Sequence, residues 1–400
     1  MGESEIMDAL TLVDEGRIVE LAKRLIRIPS VTGEEREVVL HARDVLEESG
    51  IGVDLHGPGE RPVINAVVNP EAGRLLAFNG HLDVVPVARP EAWTRDPFDP
   101  VVEGNLLYGR GASDMKASCA VIIHVLELLR EMEVDLAVGA QLVPDEERGG
   151  VHGTRLLLGE MEAGRLRSPD YVVIGEKSNL KVRIAERGMF GFKVRFHGRA
   201  AHTAAARTEG INAIAKAAKG VLALERHIDR FHEWIGYPVL SVNGVEGGIV
   251  HNQVPAECVI DVDRRLVIGE TADTVVAEVT EALDRAGEGD PDWSWELIAE
   301  RDAEGNYVYG PPNYTAPDTE LGRAFYRAVP LALGSDPELF VEWAGCTDGR
   351  FYRFKGIQTI GFGPRGEHAH GPDEYVYVDS LVSQARVYLA LALELARRQE

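Results

Sequence analysis

Short, continuous apolar runs recur along the first half of this chain, with helical patterns between them. The runs are Val63–Val68, Leu75–Phe78, Leu136–Val143 and Tyr171–Ile174. A strand that is apolar on both faces must be covered on both faces. The alternation therefore implies a buried, mostly parallel sheet between helices. The helical patterns fit that role. Ile18, Leu21, Ala22, Leu25 and Ile26 share one helix face, and Val38, Val39, Ala42, Val45 and Leu46 share another. Gly50 is placed to end the second helix as a left-handed residue. Ala117–Leu129 reads as a buried helix.

The middle of the chain has a different period. Gly191–Phe196 alternates like a half-exposed strand, Ile211–Leu224 is helical, and Val239–Val242 and Cys258–Val262 are strands. A helix over Thr271–Leu283 and a strand over Trp293–Ile298 complete the order β-α-β-β-α-β, the ferredoxin-like unit. The Gly- and Pro-rich segment YVYGPPNYTAP after Asn306 reads as a linker. The α/β pattern then resumes with a helix near Leu321–Leu333, a strand at Gln358–Phe362 and a helix near Leu381–Arg397. A chain of 400 residues exceeds one ordinary core. The expected fold is an α/β domain with a mixed, mostly parallel sheet flanked by helices, carrying an inserted α+β domain. Residues 1–186 and 303–400 form the larger domain, and residues 187–302 the smaller.

Composition narrows the partners. The formal net charge is -23, which repels nucleic-acid phosphates and anionic lipid. Neither nucleic acid nor membrane is an expected partner. The three cysteines, Cys119, Cys258 and Cys346, are odd in number and far apart, which fits a reducing compartment. The N-terminal MGESEIMDAL has no apolar core of a signal peptide, so a cytoplasmic location is expected.

Four strand-like segments run straight into metal-ligand residue types. LLAFNGHLD gives His81 and Asp83, and AQLVPDEE gives Glu146 and Glu147. YVVIGE gives Glu176, and TIGFGPRGEHAH gives His368 and His370. Ligands of open α/β sheets bind at the carboxyl ends of strands, so four such ends can converge on one crevice. A metal-bound imidazole usually donates its other N–H to a neighbouring oxygen, which gives His81-x-Asp83 a physical logic. Adjacent Glu146 and Glu147 suit a division between proton transfer and metal binding. Asp114, in the Gly-rich YGRGASDMK, has two oxygens with which to bridge two cations. Each motif alone is as well explained by a turn or a helix terminus; their coincidence is what points to a site. A His and carboxylate set favours zinc, with cobalt or manganese as alternatives.

These residues also carry a resemblance. GHLDVVP, GRGASDMK, PDEERGG, IGEKSN, GRAAHTA and HAHGPDEY, in this order from His81 to Glu374, resemble the two-metal peptidases and deacylases. That family includes acetylornithine deacetylase, succinyl-diaminopimelate desuccinylase, aminoacylase and glutamate carboxypeptidase. The resemblance implies that His81, Asp114 and Glu176 hold one metal ion. Asp114, Glu147 and His370 would hold the other, with Asp114 bridging. Asp83 would orient His81, and Glu146 would be general base and acid for a bridging hydroxide. The inserted domain would be a lid and dimerisation domain, making the protein a homodimer. His202 would reach a partner's active site and support the oxyanion. Asn252 and Arg265 match substrate-contacting positions, and Thr347 and Arg350 lie where relatives shape the pocket. Arg264 is the alternative to Arg265 as carboxylate anchor, and His368 the alternative to His370.

The chain departs from the family pattern at Lys177, where proline usually follows the glutamate. It also departs in AAARTEG after His202 and at Ile268 after DRRL. None of these removes a ligand or the base. The expected function is metal-dependent hydrolysis of the amide of a small N-acyl amino acid with a free carboxylate. A dipeptidase or carboxypeptidase is the alternative. A non-catalytic metal-dependent binding protein is more remote, because all six ligand and base positions hold competent residues.

Overall fold

The doubly apolar runs become the centre of one sheet. The computed structural model describes residues 2–341 and 345–397. Six strands lie in the order Val53–His56, Val63–Val68, Ala137–Val143, Leu75–His81, Tyr171–Ile174 and Gln358–Gly361. The last four are mutually parallel, and the first two join antiparallel at one edge. Ala137–Val143, Leu75–His81 and Tyr171–Ile174 are buried at every position, as a sheet covered on both sides requires.

Alternation along Leu75–His81 shows what covers each face. Phe78 stacks on Tyr388 of the helix Val378–Ala396, with ring centroids 4.4 Å apart. Gly80, on the same side, faces Cys119 and Ile122 of the helix Lys116–Arg130. Asn79 points the other way and donates to Thr154 Oγ1 and to the Tyr352 hydroxyl, each at 3.1 Å. Those two belong to the helices Thr154–Glu162 and Gly349–Phe354. The helix Arg36–Glu48 stops where Gly50 turns left-handed at φ 72° and Ile51 N–H returns to the Leu46 carbonyl.

Register places the site. His81 lies opposite Val143, and Ile174 lies opposite both Asn79 and Gly361. The parallel strands therefore end nearly level, and the residues just past their ends share one edge of the sheet. A second, antiparallel sheet runs Gly366–Glu367, Tyr375–Tyr377, Leu106–Tyr108 and Val101–Glu103. It pairs Tyr375 with Tyr108, which brings the chain before Tyr375 beside the loop after Tyr108.

The chain divides into two compact units. The smaller comprises Ala185–Asn313 with Val341–Cys346, and the rest forms the larger. The smaller unit has four antiparallel strands in the order Val239–Gly247, Glu257–Leu266, Gly188–His197 and Trp295–Ile298. With the helices Ala213–Leu224 and Ala272–Ala286 between them, the chain order is β-α-β-β-α-β. Phe190, Phe192, Val194 and Phe196 alternate with less buried residues and face a core shared with both helices. Gly220 is required there, because a Cβ would fall on the Phe196 ring. Tyr307 and Tyr309 pack edge-on against Phe190, so the Gly- and Pro-rich segment folds onto this unit. Among the described residues, no helix is long and apolar enough to cross a membrane.

Candidate metal centre

His81 is the last residue of its strand and is almost fully buried. Its Nδ1 lies 2.9 Å from the main-chain carbonyl of Asp83, an acceptor that fixes Nδ1 as the N–H. Nε2 is thereby the nitrogen that faces the carboxylates and that a metal ion would take in place of its proton. The Asp83 carboxylate is farther from Nδ1, at 3.5 Å, and is engaged elsewhere. One oxygen accepts Glu146 N–H at 3.1 Å, while the other accepts Glu147 N–H at 3.3 Å and Thr32 Oγ1–H at 2.8 Å. Asp83 thus acts on two strand ends: its carbonyl orients His81, and its carboxylate holds the turn that carries both glutamates.

Asp114 lies between two histidines. His81 Nε2 is 3.0 Å from its Oδ1, and His370 Nε2 is 3.2 Å from its Oδ2. His81 Nε2 is also 3.3 Å from Glu176 Oε1, and His370 Nε2 is 3.0 Å from Glu147 Oε1. The ligand atoms of His81, Asp114 and Glu147 fall within 4.8 Å of one another, as do those of His81, Glu146 and Glu176. The sequence-predicted His81, Asp114, Glu146, Glu147, Glu176 and His370 are therefore brought together. His368 is not in these contacts; its ring packs edge-on against Tyr375 at 5.6 Å. The Asp114–Met115 peptide is cis.

The charges are crowded. Burial, and next the Glu176 carboxylate, push the Glu146 carboxyl well above its usual range. Burial and the Asp114 charge push Glu176 up to about 7. Burial opposes ionisation of Asp114, but hydrogen bonds from His370 and His81 outweigh it and hold the carboxyl below its usual range. Bonds to Asp114 and Glu147 push His370 up to about 10. The two imidazoles act as the local cations among four carboxylates. A metal ion would displace the Nε2 protons, and the resulting donor set, imidazole nitrogen plus carboxylate oxygen with no thiolate, fits divalent zinc, cobalt or manganese.

The Glu176 turn is tightly packed. A Cβ on Gly363 would fall on the Glu176 carbonyl oxygen, so only glycine allows this approach. Lys177 stands where the family resemblance expects proline. Its carbonyl accepts from Arg183 Nη2 at 2.6 Å, and the buried Arg183 charge also favours the ionised Glu176.

The other predicted residues divide between the two units. Thr347, in the larger unit, is buried, and its Oγ1 accepts Gly349 N–H at 3.2 Å at the start of a short helix. The Arg350 guanidinium lies 4.5 Å over the Phe351 ring. In the smaller unit, the exposed His202 accepts Ala204 N–H on Nδ1 at 3.1 Å, so Nε2 carries the proton and is a donor. Asn252 is adjacent, its carbonyl accepting Thr203 N–H at 3.0 Å. Arg264 is fully buried against Glu270 at 2.6 Å, whereas Arg265 is partly exposed and held by Asp263 at 2.7 Å.

Sequence reasoning missed four supporting residues. Thr32 binds Asp83, Glu374 and Arg110 lie behind the Asp114 loop, and Asp348 is a buried carboxyl pushed up to about 6 by burial. Glu374 and Arg110 sit inside the quoted HAHGPDEY and GRGASDMK segments. Neither carries a periodicity signal, because each acts across the fold and not along its own element.

Comparisons with known proteins give the family and the fold. The family model for peptidase family M20/M25/M40 matches residues 77–394. A succinyl-diaminopimelate desuccinylase of Paracidovorax citrulli is 30% identical over 390 residues, covering 93% of this chain and 96% of that protein. Another, of Nitrosomonas europaea, is 31% identical over 323 residues, covering 78% and 82%. The crystal structure of aminopeptidase PepT from Bacillus cereus shares the fold with a TM-score of 0.77 at 20% identity, covering 96% of this chain and 100% of that one. By its family match over most of its length, the chain belongs to peptidase family M20/M25/M40 and is a hydrolase of amide bonds.

Proposed function

We propose that this protein hydrolyses the amide of a small N-acyl amino acid, in the manner of a desuccinylase or deacetylase, with two divalent metal ions. The observation that carries the reading is the position of Asp114, whose two oxygens each face a different histidine. His81, Asp114 and Glu176 would hold one ion; Asp114, Glu147 and His370 would hold the other. Zinc is the first choice of metal, and cobalt or manganese fit the same donors. When bound, such ions supply Lewis acidity to the amide carbonyl and to water.

The protein's own groups then have distinct tasks. Glu146 accepts a proton from the attacking water and returns it to the leaving amine nitrogen. Asp83 holds Glu146 and Glu147 through their N–H groups, so the base and its neighbour keep a fixed spacing. By the family resemblance, His202 would donate from Nε2 to the developing oxyanion in the active site of a partner copy. With Arg264 committed to Glu270, the resemblance gives Arg265 as the anchor for the substrate carboxylate and Asn252 as a substrate contact, and it places Thr347 and Arg350 where relatives shape the pocket. The desuccinylase names of relatives at 30% and 31% identity support the acyl-amino-acid class.

The smaller unit supports a homodimer, in which it serves as the lid and dimerisation domain. Val239–Gly247 is an edge strand of its sheet, and Val245, Ile249 and Leu222 are 62%, 94% and 81% exposed. A partner covering these residues would satisfy both the open edge and the apolar surface.

The test is a metal-loaded activity screen. N-succinyl, N-acetyl and N-formyl amino acids are assayed beside dipeptides and C-terminally blocked peptides. Turnover of an N-acyl amino acid, and its loss by roughly 10²–10⁴-fold in Glu146→Ala with both metals retained, is expected. Preference for dipeptides would replace the deacylase reading with a peptidase one, and full activity of Glu146→Ala would remove Glu146 as the base.

A further inference from the structure

Two buried groups behind the metal centre make contacts that no surface role explains. Glu374 is fully buried and accepts four hydrogen bonds, two on each oxygen. Oε1 takes Ser113 N–H at 2.8 Å and Asp114 N–H at 3.0 Å. Oε2 takes Gly111 N–H at 3.0 Å and Arg110 Nη1–H at 2.6 Å. Three N–H groups of one loop thus converge on a single carboxylate. Arg110, also buried, uses its second terminal nitrogen on the His370 carbonyl at 3.3 Å.

We propose that Glu374 and Arg110 are positioning residues for the metal centre, clamping the bridging Asp114 loop to the segment that carries His370. The inference rests on the two-metal reading above. Asp114 must present each oxygen to a different histidine, and its backbone orientation is set by the N–H bonds to Glu374. His370 approaches from another part of the chain at a left-handed φ of 65°, and Arg110 holds its carbonyl. One ion-paired unit therefore fixes the spacing between the shared carboxylate and the second histidine. Outer groups of this kind typically alter metal affinity by roughly 10–100-fold. Glutamine cannot replace Glu374, because whichever way its amide turns, the NH₂ meets two N–H donors.

The test is Co²⁺ titration of metal-stripped protein, read by calorimetry and by the visible d–d spectrum, with no substrate involved. Glu374→Gln should weaken both equivalents by roughly 10-fold or more and change the spectrum. Arg110→Gln should weaken one equivalent more than the other, and Arg110→Lys should recover part of the loss. If Glu374→Gln fails to fold, Arg110→Gln, which leaves the three loop N–H bonds in place, decides alone. Folded variants with wild-type Co²⁺ affinities and spectra overturn the proposal. So does a lower melting temperature of the metal-free protein without any change in Co²⁺ binding. A wild-type protein that binds fewer than two Co²⁺ removes the two-metal reading itself, and this inference with it.

Discussion

The two units differ at one place in how they satisfy buried charge. In the smaller, the buried cation Arg264 is matched inside the fold by Glu270, which is itself 5% exposed. In the larger, similar matching occurs at Arg61 with Glu35 and Asp145, and at Arg110 with Glu374. At one edge of the larger sheet it fails. Asp114, Glu146, Glu147 and Glu176 crowd around two imidazoles. Burying carboxylates without matching cations is costly, so a protein keeps such a cluster where cations arrive from outside. Buried cations elsewhere, such as Arg187 on the Ile235 carbonyl and Lys116 on those of Leu25 and Ile28, are held by main-chain oxygens, so what sets the site apart is its crowding of carboxylates.

Removing the proposed bridging carboxylate tests that contrast most severely. Asp114→Asn is expected to lose both metal equivalents by elemental analysis and to lower kcat/KM by roughly 10³–10⁵-fold, since metal Lewis acidity is worth several kcal/mol. Retention of both ions would break the distinction between the cluster and an ordinary polar patch. Breaking the smaller unit's internal pair should act on folding instead. Arg264→Met takes one of two arginine partners from the buried Glu270, Arg230 being the other, and should cost about 1–3 kcal/mol in chemical unfolding, with metal content unchanged in the folded protein. His202→Ala probes the smaller unit's proposed share in chemistry. It should lower kcat by roughly 10²–10³-fold without changing metal stoichiometry. An unchanged kcat would confine catalysis to the larger unit.

The smallest effect comes from an ion pair outside the site. Burial opposes ionisation of Glu127, but bonds from His124, Arg17 and Ser49 outweigh it and hold the carboxyl at about 2. The folded value lies below the unfolded one of roughly 4.3, so the pair stabilises above that pH and its contribution disappears as pH falls through about 2. Glu127→Gln should lower Tm at pH 7 by the equivalent of less than about 1 kcal/mol after solvent screening. The gap between variant and wild type should narrow steadily as melting is followed from pH 6 towards pH 3. A gap that widens on acidification would reverse the sign of this assignment.

Much was legible in the sequence because it rests on local period or local chemistry. The doubly apolar runs Leu75–Phe78 and Tyr171–Ile174 read as central strands, and Gly191–Phe196 as a one-sided one. The ligand types at their ends followed from reading past the last apolar residue. The short helix Glu3–Leu10 was missed, since its pattern is brief and only Ile6 and Leu10 are buried. The His81 assignment needed sharpening: the carbonyl of Asp83, two residues on, takes its N–H, while the carboxylate reaches across to the next strand end.

The sequence by itself determined which strands are buried, where they end, and that His, Asp and Glu stand at those ends. These are one-dimensional properties, set by side-chain period and by order along the chain. Only the tertiary structure decided that the ends are level, that Asp114 faces two histidines, and that Glu374 lies behind it. Residues 114, 147, 176, 370 and 374 meet through strand register and loop return, and the N–H groups that gather on Glu374 carry no side-chain signature. Hydrogen-bond direction and distance in three dimensions fix those positions, and no local pattern encodes them.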